Sequence, residues 1–282
     1  MLLYPLCIIL CNSIRNVHAR VGMQHDLDKS LANSDFHPFV DSNGGNIGRL
    51  TEETSTGSHV WGTTPSDNIY YRNGQNGWTK IEGKLKQVSV SCGASHVWGV
   101  DSENNIYYRA GKDGSWVQIG GKMEWVSVSC DGSHLWGVYP NGNVWYRNGK
   151  DGSWIKIGGK LKQVSISSDG SHVWGVDSAN KIWYRNGKDG SWTSIKGTMQ
   201  NVSVSCDGSH VWGATPNNNI FYRNGKNAEK WTYIEGALKN VSVSCDGSHV
   251  WGTDAKDRVL YRAGKDGAWI QIRGILKQVS VE

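Results

Sequence analysis

Proline, phenylalanine, long apolar runs and clustered charge are all scarce in this chain, and each scarcity removes a class of protein. The 282 residues include 5 prolines and 3 phenylalanines, against 36 glycines and 15 tryptophans. Turns therefore fall to glycine. The aromatic mass falls to tryptophan, which suits either a wedge-shaped core or a surface on which sugars stack. After the first residues no apolar stretch approaches the ~20 needed to span a bilayer, so no membrane span is expected. The net charge of +5 is spread along the chain with no run of five basic residues. A nucleic-acid partner would normally need a clustered basic stripe, and none is expected. No segment carries a helical period. Local metal-ligand spacings of the Cys-x-x-Cys or His-x-x-x-His kind are missing, so no metal and no other cofactor is expected.

The N-terminal region reads in two parts. Leu2 to Cys11 is a short apolar stretch, and Val17-His18-Ala19 offers small residues for a cut after Ala19. This predicts a signal peptide over residues 1–19 and a secreted, extracellular protein, although no lysine or arginine precedes the apolar core. Residues 20–50 are polar and aperiodic and read as a disordered linker or pro-segment.

What fills residues 51–282 is a repeat. Six copies of Ser-His-(Val/Leu)-Trp-Gly place His59, His96, His134, His172, His210 and His249 at intervals of 37, 38, 38, 38 and 39 residues. A period of roughly 20–50 residues marks a repeat architecture in which no single unit can bury its own apolar face. The third copy shows the unit. Val126-Ser127-Val128-Ser129 alternates as a strand does, and Cys130-Asp131-Gly132-Ser133 is a turn. His134 to Val138, Val144 to Arg147 and Trp154 to Ile157 supply three more short strands. Four antiparallel strands per period describe a β-propeller blade.

Insertions support this division. Each His lies 12 residues before a Tyr of the third strand, and each fourth-strand Trp lies 18 before the next His. Length varies only between third and fourth strands, at Gln75-Asn76-Gly77 and at Lys226 to Lys230, which puts that loop at the surface. The first copy has Thr51-Glu52-Glu53-Thr54 where a first strand should be, and the chain ends on a seventh Val279-Ser280-Val281. A ring resolves both ends at once, leaving no open edge. The expected fold is all-β: a six-bladed β-propeller of four-stranded antiparallel blades, closed by the C-terminal strand.

Lys-Leu-Lys-Gln-Val-Ser-Val-Ser, then Gly-x-x-His-Val-Trp-Gly-Val and Ile-Tyr-Tyr-Arg, resembles the tectonin repeat, over residues 47–282. That repeat defines the tectonin β-propeller lectins, including the fish-egg lectins and tectonin-type tachylectins. The resemblance implies a six-bladed propeller that binds glycans, often microbial surface sugars in innate defence, with N-acetylglucosamine-containing glycans or lipopolysaccharide as targets. The polar segment before the first blade departs from that pattern.

Strand polarity sorts the candidate binding residues. The first-to-second turn and the third-to-fourth tip share one end of every blade, so His, the third-strand Arg and the fourth-strand Trp share one face. A sugar needs an aromatic plate and a few fixed polar groups. The Arg and Trp pairs offer both: Arg72 and Trp78, Arg109 and Trp116, Arg147 and Trp154, Arg185 and Trp192, Arg223 and Trp231, Arg262 and Trp269. The alternatives are edge packing for Trp and an intra-blade bond for Arg. The Trp of Trp-Gly follows its His into mid-strand and is expected in the core between blades. The six His are expected to make structural hydrogen bonds. The Asp-Gly-Ser turns lack the full acidic pattern of a calcium loop. On the other face, Lys86, Lys162, Lys239 and Lys277 would tolerate glycan phosphates.

Cys92, Cys130, Cys206 and Cys245 occupy one position in blades two, three, five and six, where blades one and four have Ser55 and Ser168. In a six-fold ring, equivalent positions on neighbouring blades are as far apart as each is from the axis. Bridges Cys92–Cys130 and Cys206–Cys245 are therefore expected if this turn lies close to the axis. Four cysteines allow three pairings, and free thiols are the alternative. Asn201-Val202-Ser203 and Asn240-Val241-Ser242 are glycosylation sequons at the entrance to core strands.

The reading is a secreted, multivalent carbohydrate-binding lectin whose partners are microbial or cell-surface glycans; an oligomer is compatible with it. A protein-interaction propeller without sugar binding is the alternative. A propeller glycosidase would need an asymmetric carboxylate pair, but most acids repeat with the blades and Glu124, Glu229 and Asp257 scatter. No enzyme is expected.

Overall fold

The computed structural model describes residues 59–74 and 76–282; the expected signal peptide, the linker, Thr51 to Thr54 and Ser55 lie outside the described residues. The described chain forms six four-stranded antiparallel sheets. One short 3-10 turn, Cys92–Ala94, is the only helical element among the described residues. In the second blade the strands run Gln87–Val90, His96–Val100, Asn105–Ala110 and Val117–Lys122, from the axis outward. The blade holding His59–Thr63, Asn68–Asn73 and Thr79–Lys84 takes its inner strand, Gln278–Val281, from the other end of the chain. Val60 faces Val281 and Thr63 faces Gln278 across that closing pair. The ring is thus closed by the C-terminal strand, as the two incomplete ends of the array require.

No blade owns a core. The cluster of Trp98, Ile106 and Tyr108 from the second blade is completed by Met123, Val126 and Leu135 of the third. The closing cluster joins Trp251 and Val259 to Val60, Tyr70 and Val279. All six tryptophans of the Trp-Gly strings are fully buried in these wedges. The residue preceding the third-strand Tyr joins them, as Tyr70, Tyr107, Trp145, Trp183, Phe221 or Leu260. Alternation of period two puts Val88 and Val90 on one side and Gln87 and Ser89 on the other. The second set has its own task.

Inner strands would each leave an unpaired edge toward the next blade, a costly arrangement once buried. Gln87 and Ser89 resolve it. Gln87 Oε1 accepts from Val126 N–H at 3.1 Å, its Nε2 donates to Val126 O at 3.0 Å, and Ser89 Oγ accepts from Val128 N–H at 3.1 Å. The same device closes the ring, where Gln278 Oε1 accepts from Val88 N–H at 3.1 Å. Trp125 replaces the glutamine in the third blade, yet its Nε1 still reaches Val164 O at 3.0 Å. Side chains thus stitch strands together where backbone pairing is geometrically impossible, and they fill the axis. The cavity left there is about 50 Å³, well below the ~300 Å³ at the low end of ligand pockets. The axis itself is therefore filled.

Candidate functional site

The rim face is built by two turns per blade. Near the end of the third strand of the second blade stands Arg109, whose Nε donates to Gly111 O at 3.1 Å and whose Nη2 donates to Lys112 O. The same pair of bonds recurs from Arg147, Arg185, Arg223 and Arg262. Arg72 Nε makes the first of them, to Gly74 O at 3.0 Å. The arginine therefore shapes its own tip. Burial pulls the Arg109 guanidinium below its ordinary value, with Asp113 and Glu82 opposing; it stays charged.

That charge lies over the ring of the following tryptophan. Arg109 Cζ is 5.5 Å from the Trp116 ring centre, and the other pairs lie at 5.5–6.0 Å: Arg72 on Trp78, Arg147 on Trp154, Arg185 on Trp192, Arg223 on Trp231, Arg262 on Trp269. Such a contact contributes ~0.5–1 kcal/mol when exposed and more when desolvated. The tryptophan also reaches backward. Trp116 Nε1 donates to Glu82 O of the preceding blade at 2.8 Å, Trp154 to Gly120 O at 3.0 Å, and Trp78 closes the series on Arg273 O at 2.7 Å. The carbonyl is presented by a bulge between third and outer strands. Its next residue, Gly83, has φ of 107° and lies against Trp116, so a side chain there would be strained and crowded. Every predicted Arg and Trp is thus brought together in pairs on the predicted face. Each pair also carries a structural duty, and each tryptophan remains half-buried.

The histidines take the hydrogen bond expected of them. His96 Nδ1 pairs with Tyr108 Oη at 3.0 Å, His134 with Tyr146 at 2.9 Å, His172 with Tyr184 at 2.9 Å and His249 with Tyr261 at 2.9 Å. The constant spacing of 12 residues is the reach of this bond across two strands. A feature missed in the sequence lies beside it. Lys150 of the third blade sits over the Tyr108 ring of the second at 5.4 Å, Lys226 over Tyr184 at 4.8 Å and Lys265 over Tyr222 at 5.9 Å. The recurring Asn-Gly-Lys at the tips was the available signal. The tip carboxylates Asp113, Asp189 and Asp266 stand almost fully in solvent. Each blade thus presents a half-buried indole backed by a guanidinium. In blades two, three, four and six an exposed Lys-Asp pair stands next to it, whereas the fifth tip reads Lys226-Asn227 and the first carries neither residue.

Two expectations need correction. The sequon residues Asn201 and Asn240 are buried. Their Oδ1 atoms accept from Val241 N–H at 2.9 Å and Val279 N–H at 3.2 Å, so they serve as the inter-blade stitch, and their burial leaves no room for a glycan on Nδ2. The lysines of the opposite face are tied down rather than free for phosphates. Lys86 and Lys162 bond Asn104 and Asn180, while Lys239 and Lys277 pair with Asp257 and Asp67. The Asp-Gly-Ser turns use their carboxylates internally: Asp131 accepts from the Ser129 and Ser133 hydroxyls at 2.6 Å.

The cysteine turn lies close to the axis. Cys92 is bridged to Cys130 and Cys206 to Cys245, each pair with Cα atoms 4.5 Å apart. Among the described residues no helix is long and apolar enough to cross a membrane.

The family model described as a Tectonin domain matches residues 50–229 and 209–282. No curated protein matches the chain in sequence. Among solved structures, the β-propeller domain of Cps50 (Swd1) from Myceliophteria thermophila superposes with a TM-score of 0.56 over 77% of this chain and 86% of that one, at 10% identity. A likeness at that identity speaks for the fold alone.

Proposed function

Because the chain belongs to the tectonin family, we propose that it is a multivalent lectin that binds carbohydrate at the tips of its blades. The observation that carries this reading is the repetition, around one face, of a guanidinium-backed indole, joined in blades two, three, four and six by an exposed Lys–Asp tip. The half-buried tryptophan edge supplies an apolar surface for a sugar's C–H face. Where present, the tip lysine and aspartate, with the glycine backbone on either side of them, supply orienting polar groups. Single sites of this shallow kind bind weakly, on the order of mM. Several of them meeting a repetitive glycan surface gain ~10²–10⁴ in avidity. The proposed targets are microbial or other repetitive glycans, including N-acetylglucosamine-containing glycans and lipopolysaccharide, as the family resemblance suggests. Secretion fits the two bridges, which persist in oxidising compartments, and a role in innate recognition or agglutination follows from multivalency. Catalysis is not part of this reading.

A protein-interaction propeller without sugar binding is the second reading. It is favoured by one observation: Trp Nε1 and the Arg donors are already committed inside the ring. A glycan array on the purified protein, followed by elution from bacterial cells with free oligosaccharide, separates the two. Binding competed by free sugar supports the lectin. Absence of any competing sugar, with capture of a protein partner that free sugar does not release, supports the alternative.

A further inference from the structure

The four cysteines of the ring converge further than two separate bridges require. Their sulfurs all lie within 4.8 Å of one another. Across the axis, Cys92 Sγ is 3.3 Å from Cys206 Sγ, and Cys130 Sγ is 3.8 Å from Cys245 Sγ. Four thiolates around one ion at a metal–sulfur distance of about 2.3 Å stand about 3.8 Å apart, the edge of the tetrahedron they form. The cross-axis spacings already match that edge or fall slightly inside it.

The turns that carry the sulfurs are held independently of them. Cys92 N–H donates to Cys130 O at 3.0 Å, Ser168 N–H to Cys206 O at 2.9 Å and Cys206 N–H to Cys245 O at 2.9 Å. This belt of backbone bonds keeps the four side chains aimed inward whatever the sulfurs bond to. The cluster is half-buried, and a hollow of about 250 Å³ lined by Cys92, Cys245, Asp246 and His249 opens beside it. Ion and reductant therefore have a route in.

We propose that this axial quartet is a redox-gated metal site: with both bridges reduced, Cys92, Cys130, Cys206 and Cys245 hold one soft divalent cation of the zinc class. The chemistry balances. Each bridge takes two electrons and two protons from a dithiol, which leaves as its own disulfide, and four thiols result. The cation then forms four metal–sulfur bonds as four protons depart. Reoxidation by a small-molecule disulfide reverses both steps: the four sulfurs regain four protons as the ion leaves, and each dithiol pair then passes two electrons and two protons to the oxidant, which leaves as thiol. The absence of Cys-x-x-Cys motifs excluded a site made by one segment, but the ring assembles the same donor set from four blades. The oxidised bridges tie blade two to three and blade five to six, whereas the metal would tie all four blades together.

The test uses the full chain, reduced under argon with a dithiol that is then removed. Cobalt(II) is expected to bind one ion per chain with the visible absorption of a tetrahedral thiolate site, zinc to displace it, and the oxidised protein to show neither. Removing two ligands by Cys92→Ser with Cys206→Ser should abolish the cobalt spectrum. It should weaken zinc binding by more than the roughly 10–100-fold that loss of an outer-shell partner costs. Serine is accommodated at this turn, since Ser168 already occupies it in the fourth blade. Should the double variant fail to fold, thiol alkylation of the reduced wild type decides: zinc is expected to protect all four cysteines together. A reduced, folded protein that binds no cobalt, a cobalt spectrum indifferent to the substitutions, alkylation unaffected by zinc, or loss of the ring on reduction each overturns the proposal.

Discussion

At the scale of single residues, the rim is held by polar groups that look free in the sequence. Asp207 is one. Burial opposes its ionisation, but the Ser205 and Ser209 hydroxyls, the Ser209 N–H and nearby His210 outweigh that and hold its pKa down at about 2. An unfolded aspartate titrates near ~3.9, so between these values the unfolded chain binds more protons and stability is lost as the pH is lowered. The contribution of Asp207 is full above about pH 4 and lost as the pH drops through about 2. Solvent screening keeps it modest, because the carboxylate is partly exposed. Asp207→Asn should therefore be less stable than wild type near neutrality, in urea or thermal denaturation, and the gap should close between about pH 4 and 2. A gap that stays constant to the acid end would show that the carboxylate's charge has no part in holding the turn. The sequence displays the Asp-Gly-Ser turn but not this role, because the donors are chosen by how the turn folds back on itself.

At the scale of the element, a blade depends on how closely its second strand approaches the connector leading into its own first strand. The glycine of Trp-Gly makes that approach. A Cβ at Gly99 would lie 2.5 Å from Leu85 Cδ1 and 2.8 Å from Gln87 O. At Gly213 the nearest atoms are Met199 Sδ at 2.9 Å and Asn201 O at 3.2 Å. Overpacking of this kind costs ~1–3 kcal/mol, and an unbranched methionine yields more readily than leucine. Gly99→Ala should fall within that range and Gly213→Ala below it, as measured by chemical denaturation; equal costs would mean that the connector side chain does not decide. Strand identity was legible here, since Val-Ser-Val-Ser alternation is local. The use of Leu85 or Met199 as a buried plug was not, because a connector rich in lysine and glycine reads as exposed.

At the scale of the whole molecule, closure joins residues at opposite ends of the chain. Removing residues 278–282 would strip the inner strand from the His59–Thr63 edge and leave Val88 and Val90 without the Gln278 and Ser280 acceptors. The shortened protein is expected to lose its cooperative melting transition in calorimetry and to associate through the bare edge in size-exclusion chromatography. A truncated monomer that melts as wild type would show that the ring does not depend on its closing strand. Each bridge, by contrast, spans only 38 or 39 residues between neighbouring blades. Loops of that length predict roughly 4 kcal/mol per bridge in the chain-entropy picture, a reinforcement of a ring already closed by strand pairing.

By itself the sequence determined the number of blades, the four strands in each, the variable tips and the need for a closing strand. Those properties follow from periods of two and of about 38 residues that run through residues 51–282. Tertiary structure alone decided what the repeated polar and aromatic side chains bond to. Gln87 meets Val126 and Trp116 meets Glu82 across 39 and 34 residues, and Cys92 meets Cys206 across 114. Such partners are set by the radius and twist of the ring, and these exist only once all six wedges have packed.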